Sequence, residues 1–138
     1  MMKIEYLEAG SIDCPLIRIY GGDESIFGTL YDAAQQLSRG AAIRVALHES
    51  PDFHGVHGCA LTLAVGPRDE GAHLHSPPSN FFWILTRQKW RTVAGLVEPF
   101  TAQTDKSAYQ WLCGREAGQG LNRSDISILI SRDSTGRW

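Results

Sequence analysis

The spacing of apolar residues along this chain switches from a period of two to a period near 3.6 and back again, twice. That alternation restricts the fold more than any other feature, because strand and helix need different patterning. Two short strand candidates, Lys3–Glu8 and Pro15–Tyr20, are separated by Gly10-Ser11 and closed by Gly21-Gly22. Asp23 then offers a capping oxygen, and Ile26, Phe27, Leu30, Tyr31, Ala34 and Leu37 recur at helical spacing up to Gly40, a left-handed stop. This predicts a helix over 24–39. Ile43, Val45 and Leu47 alternate with Arg44, Ala46 and His48, and Cys59, Leu61, Leu63 and Val65 with Ala60, Thr62 and Ala64, so both segments read as half-buried strands.

Phe81–Thr86 is apolar on both parities and reads as an inner strand with both faces covered. Arg87–Glu98 puts Trp90, Val93, Ala94 and Val97 on one stripe, with Thr86 as its cap and Pro99 beyond its end, which predicts a second helix. Strands follow at Ser107–Cys113 and Ile126–Ser131, and turn chemistry at Asp133–Gly136. The segments Glu49–Gly58 and Gly66–Asn80, rich in glycine and proline, read as loops.

The order of elements predicts a single α+β domain over residues 1–138: an antiparallel-dominated sheet of about six or seven strands with two helices on one face. The order strand, helix, strand, strand occurs twice, which makes two βαββ halves a candidate division of the chain, with coincidence between rough boundaries as the alternative. A chain of 138 residues suits one domain, and 43% apolar against 20% charged residues is a globular composition. The net charge of -2 weighs against a nucleic-acid or membrane surface as general partner. The longest apolar run, Phe81–Leu85, is too short to cross a bilayer. Met1-Met2-Lys3-Ile4-Glu5 does not resemble a signal peptide, and the three cysteines, Cys14, Cys59 and Cys113, are odd in number and widely spaced. Together these lead to the expectation of a cytoplasmic protein with reduced thiols.

The five histidines, His48, His54, His57, His73 and His75, fall within 28 residues. His73-Leu74-His75 on an extended segment would project both imidazoles to one side, and His54-Gly55-Val56-His57 could pinch a metal within a turn. Zn or Fe held by His54, His57, His73 and His75, with Asp52, Glu49 or Cys59 nearby, is therefore a candidate centre. The chain has no H-E-x-x-H. After Gly66…His73-Leu74-His75, Ser76-Pro77-Pro78-Ser79-Asn80 replaces the glutamate and glycine that a cupin metal motif would continue with. Arg87, Lys89 and Arg91 at the start of the second helix form a candidate anion-binding spot. Each cysteine lies in or next to an expected strand, where a free thiol packs as a small buried apolar residue; the alternative for Cys59, close to several histidines, is a nucleophile.

Small residues on the solvent side of the alternating strands, Ala46, Ala60, Thr62 and Ala64 beside Arg44, could floor a ligand cavity or admit a second subunit. No G-x-S-x-G, P-loop or dinucleotide fingerprint is present. The expected function is a small soluble, non-catalytic ligand- or protein-binding and assembly domain, with a homodimer as candidate partner state. The alternative is a metal-dependent Zn or Fe enzyme using the clustered histidines.

Overall fold

A computed structural model describes residues 1–10, 14–102, 108–113 and 126–132. Nine strands and two helices are seen among them: β1 (Met2–Leu7), β2 (Leu16–Tyr20), α1 (Glu24–Arg39), β3 (Arg44–Ala46), β4 (Phe53–Gly55), β5 (Ala60–Val65), β6 (Gly71–Ser76), β7 (Asn80–Leu85), α2 (Arg87–Val97), β8 (Tyr109–Cys113) and β9 (Ser127–Ser131). The fold is α+β. No helix is long and apolar enough to cross a membrane among the described residues.

Local chemistry accounts for both helices. The Asp23 carboxylate accepts the Ile26 N–H at 3.1 Å, and Gly40 closes α1 at φ 77°, a conformation strained for any residue with a Cβ. The Thr86 hydroxyl accepts the Lys89 N–H at 3.3 Å and so opens α2. The stripe expected on α2 is the one buried: Trp90, Val93, Ala94 and Val97. The expected boundaries hold for α1, and α2 gives up only Glu98, which starts a 3-10 turn through Thr101.

The strands form two sheets, in the orders β4-β1-β2-β9-β8 and β3-β5-β7-β6, in place of the single sheet expected. Four neighbouring pairs are antiparallel (β1/β2, β3/β5, β6/β7, β8/β9) and three are parallel (β1/β4, β2/β9, β5/β7). Two of those parallel pairs explain the difference. They join a strand from the first half of the chain to one from the second, so no short loop announces them. Each four-strand set, β1-β2-β9-β8 and β6-β7-β5-β3, is an antiparallel pair from one half laid beside an antiparallel pair from the other.

The correspondence extends to register. Across the first sheet Glu5, Arg18, Leu129 and Trp111 face one another, and across the second His73, Phe82, Thr62 and Ala46 do the same. The next rows are Lys3, Tyr20, Ser131, Tyr109 and Gly71, Ile84, Ala64, Arg44. The described connectivity is therefore ββαββ followed by ββαββ, with β4 as an addition to the first unit.

Inner faces of both sheets and both helices share one core. Met2, Ile4, Ile17, Ile19, Ile128 and Ile130 come from the first sheet, and Leu61, Leu63, Phe81, Trp83 and Leu85 from the second. Tyr6 and Phe81 meet between the sheets with ring centroids 4.6 Å apart. Trp90 packs edge-on to Trp83 at 4.7 Å and donates its indole N–H to the Ala64 carbonyl at 2.9 Å, fastening α2 to the second sheet. Burying one such large side chain contributes about 1.5–3 kcal/mol.

Two expected loops contain strands, β4 and β6. The strand expected through Leu47 and His48 ends at Ala46, where a 3-10 turn begins. β7 is flanked by two strands as expected but covered fully on one face only: Phe81, Trp83 and Leu85 are buried, Phe82 and Ile84 half-buried. It is β2 and β9 that are buried at every position. The turn expected at 133–136 lies outside the described residues.

Candidate functional site

The outer face of the second sheet centres on Phe82. Successive residues on a strand point to opposite sides, so burying Phe81 and Trp83 in the core turns Phe82 outward. On β5 the in-register neighbours Thr62 and Ala64 are small, and this leaves room above the sheet. Arg44, two strands away on β3, lays its side chain across that room and brings its guanidinium to 5.5 Å from the Phe82 ring centroid. Thr62 and Ala64 are consequently 5% and 7% exposed although they face outward. From β6, on the opposite flank, the His75 ring lies 4.3 Å from the same centroid. The small residues thus form a floor that Arg44 already covers, and the result is a stack of guanidinium, phenyl ring and imidazole. Arg44 and His75 are themselves exposed, so their far sides are open to an incoming group.

His54, His57, His73 and His75 are spread over separate elements. His54 lies on β4 of the first sheet, in register with Lys3, whereas His73 and His75 lie on β6 of the second. His57 occupies a turn at φ 54°, unusual for a residue with a side chain. The preceding Gly55 is required where it stands, because a Cβ there would overlap the Cys59 carbonyl. Asp52 accepts a hydrogen bond from the Thr29 hydroxyl at 2.9 Å. Among the described residues no three His, Cys, Asp or Glu side chains gather into a set that could hold a metal ion.

His48 has a definite structural task. Its Nδ1 accepts the Leu61 N–H at 3.1 Å, filling the place on β5 that β3 leaves vacant after Ala46.

Arg87, Lys89 and Arg91 open α2. Arg87 lies against the end of α1, since a Cβ on Gly40 would stand 3.1 Å from its Cζ. Its positive charge therefore complements the carbonyl end of α1, which offsets its unfavourable place at the start of α2. The chain also brings its own carboxylate to α2: Asp69 accepts from the Thr86 N–H at 2.8 Å and from the Thr86 hydroxyl at 2.9 Å.

Comparison of the chain with protein-family models, curated proteins and solved structures gives no match.

A charged group on the outer side of the first sheet is absent from the sequence reading. Arg18 is 1% exposed, lies 3.4 Å from the Glu5 carboxylate and stacks on Tyr20 with Cζ 3.8 Å from the ring centroid. The Tyr20 hydroxyl donates to the same Glu5 oxygen at 3.1 Å. Burial, with the Glu5 charge adding to it, raises the Tyr20 pKa, while Arg18 pulls it down. Arg18 and Tyr20 share the outer face of β2, and only the register Glu5 opposite Arg18 brings the carboxylate to them, which neither strand's own pattern reveals.

Cys59 is 2% exposed, and burial pushes its thiol up to about 11, with the negative charge of Glu5 adding to the effect. It sits in the structure as the small buried apolar residue expected of a strand cysteine, and its enclosure weighs against the nucleophile alternative.

Proposed function

We propose that this chain is a small non-catalytic binding domain that takes a ligand or protein on the outer face of β3-β5-β7-β6. The observation that carries the reading is the Arg44–Phe82–His75 stack, an aromatic ring held outward between two nitrogen-bearing side chains that present hydrogen-bond donors to solvent. Aromatic residues, phenylalanine included, and arginine are both enriched at recognition surfaces. The enclosure of Cys59 weighs against its use as a nucleophile.

The test is a fragment screen by amide NMR on the full chain. Binding surfaces collect small organic probes, so the hits should cluster on the amides of Thr62, Ala64, Phe82 and His75. Hits gathered elsewhere, or none, would remove this face as the binding site. The metal-dependent alternative is read out separately by elemental analysis of protein purified without chelator. Near-stoichiometric Zn or Fe, lost in a His73→Ala/His75→Ala variant, would replace the binding reading with that one.

A further inference from the structure

We infer that the ligand at this face is a single-stranded nucleic acid, whose phosphates lie along a base-rich end of the second sheet and whose bases continue the Arg44–Phe82–His75 stack. The inference names the ligand class for the binding reading above and rests on it.

The net charge of -2 conceals an uneven distribution. β5 and β7 run parallel and finish side by side, where the Gly66 N–H donates to the Leu85 carbonyl at 3.0 Å. At the same end β3 begins, with the Val65 N–H donating to the Ile43 carbonyl at 3.0 Å. There too α2 starts directly after β7, and α1 finishes with Arg87 lying against Gly40. Arg39, Arg44, Arg68, Arg87, Lys89 and Arg91 belong to this end, six of the nine lysines and arginines among the described residues. Asp69 and Glu70 are the acids there, and Asp69 is engaged by the Thr86 N–H and hydroxyl. Elsewhere the described residues hold three bases against eight acids. The end therefore carries an excess of four positive charges, and the other described residues an excess of five negative ones. Such a separation draws polyanions to one end of the molecule whatever the sign of the whole chain.

Two properties select the occupant. Bases spread over the end of α1, the start of β3, the β5–β6 connection and the start of α2 match a run of regularly spaced anions, as a phosphate backbone supplies, over one isolated anion. All of them except Lys89 are arginines, whose planar fork meets phosphate oxygens in pairs. Arg44 also joins this end to the outer face, since its guanidinium lies 5.5 Å from the Phe82 ring centroid and His75 lies 4.3 Å from the same centroid. The open sides of guanidinium and imidazole accept a planar base by stacking. An acidic peptide satisfies the charge but brings no such planar groups. A duplex keeps its base faces paired and stacked, so the strand is single.

The experiment adds full-length protein to a fluorescently labelled oligouridylate of about twelve nucleotides and follows its anisotropy. Binding should saturate, and between about 50 and 200 mM salt the affinity should fall by about 50-fold or more, as about four neutralised phosphates on a single strand require. The variant Arg39→Gln/Arg68→Gln/Arg91→Gln should bind at least about tenfold more weakly with a flatter salt dependence, whereas Lys3→Gln, which removes a charge elsewhere, should stay within about twofold. Phe82→Thr should weaken the oligonucleotide by at least about fivefold, the least that loss of one stacked base costs. Absence of saturable binding at low salt, an equal loss in Lys3→Gln, or unchanged affinity in the triple or the Phe82 variant would overturn the inference. So would tighter binding of a glutamate peptide of equal length, tighter binding of a duplex, or displacement by an equal concentration of a nucleoside triphosphate. Those results would assign the face to an acidic protein, a double strand or a mononucleotide. Fragment hits on Phe82 combined with no oligonucleotide binding would leave the binding reading standing and remove only the nucleic acid.

Discussion

At the scale of single residues, the sequence shows which side chains are unusual but not which of them share a neighbourhood. The clustering of five histidines is visible by inspection, yet only pairing shows that His48 completes β5, that His54 lies on one sheet and that His73 and His75 lie on the other. Arg18 within Leu16–Tyr20 gives no warning that it will be buried, because its partner Glu5 is fixed by register across a hairpin. Cys59 shows how burial decides chemistry at this scale. Its folded thiol keeps its proton up to about 11, against 9.0 for an ordinary thiol. A raised folded pKa contributes stability that is whole below pH 9.0 and is lost as pH rises through about 11. Stability to denaturant should therefore decline over that range, and Cys59→Ala should remove part of the decline, with Tyr6 and Tyr20, both raised by burial, supplying more of it at higher pH. In a variant whose other cysteines are serine, a thiol reagent should label native protein far more slowly than unfolded protein. Rapid native labelling would contradict the burial.

At the scale of elements, legibility follows the range of the interactions. The helix α1 is readable from Asp23 to Gly40 because cap, period and stop all lie within the segment itself. The strands β4 and β6 are not readable, since each owes its existence to a neighbour: β4 to β1 in parallel, β6 to β7 with a bulge between Leu74 and Ser76. Neither Phe-His-Gly nor Gly-Ala-His-Leu-His-Ser carries the β-branched alternation that marks a strand on its own. The end of β3 is set by a side chain, as His48 takes the Leu61 N–H where a further strand residue would have taken it. His48→Ala should consequently cost about 1–2 kcal/mol by leaving that N–H unpaired. His73→Ala and His75→Ala should each cost under about 0.5 kcal/mol, as exposed or half-exposed substitutions do. Chemical denaturation of the three variants checks the order, and equal costs would remove the structural role given to His48.

At the scale of the whole molecule, the repeated element order is visible in the sequence, but the exchange of strand pairs between the halves is not. Two helices between strand pairs fit one sheet as well as two; the parallel pairings β2/β9 and β5/β7 decide it, and each joins strands of different halves. Once two sheets share a core, their outer faces become distinct surfaces at matching rows. The first sheet has Arg18, Tyr20 and Leu129 buried there, while the second leaves Phe82 and Ile84 half-buried beneath Arg44 and His75. A ring retained for binding should be nearly dispensable for folding, whereas a ring retained for packing should not. The unfolding free energies of Phe82→Thr and Phe81→Ala, measured side by side in denaturant, test this most directly. Phe82→Thr should cost less than about 1 kcal/mol, and Phe81→Ala, which empties a core position, about 3–5 kcal/mol. A loss at Phe82 as large as that at Phe81 would make the outward ring part of the packing and contradict its assignment to a binding face.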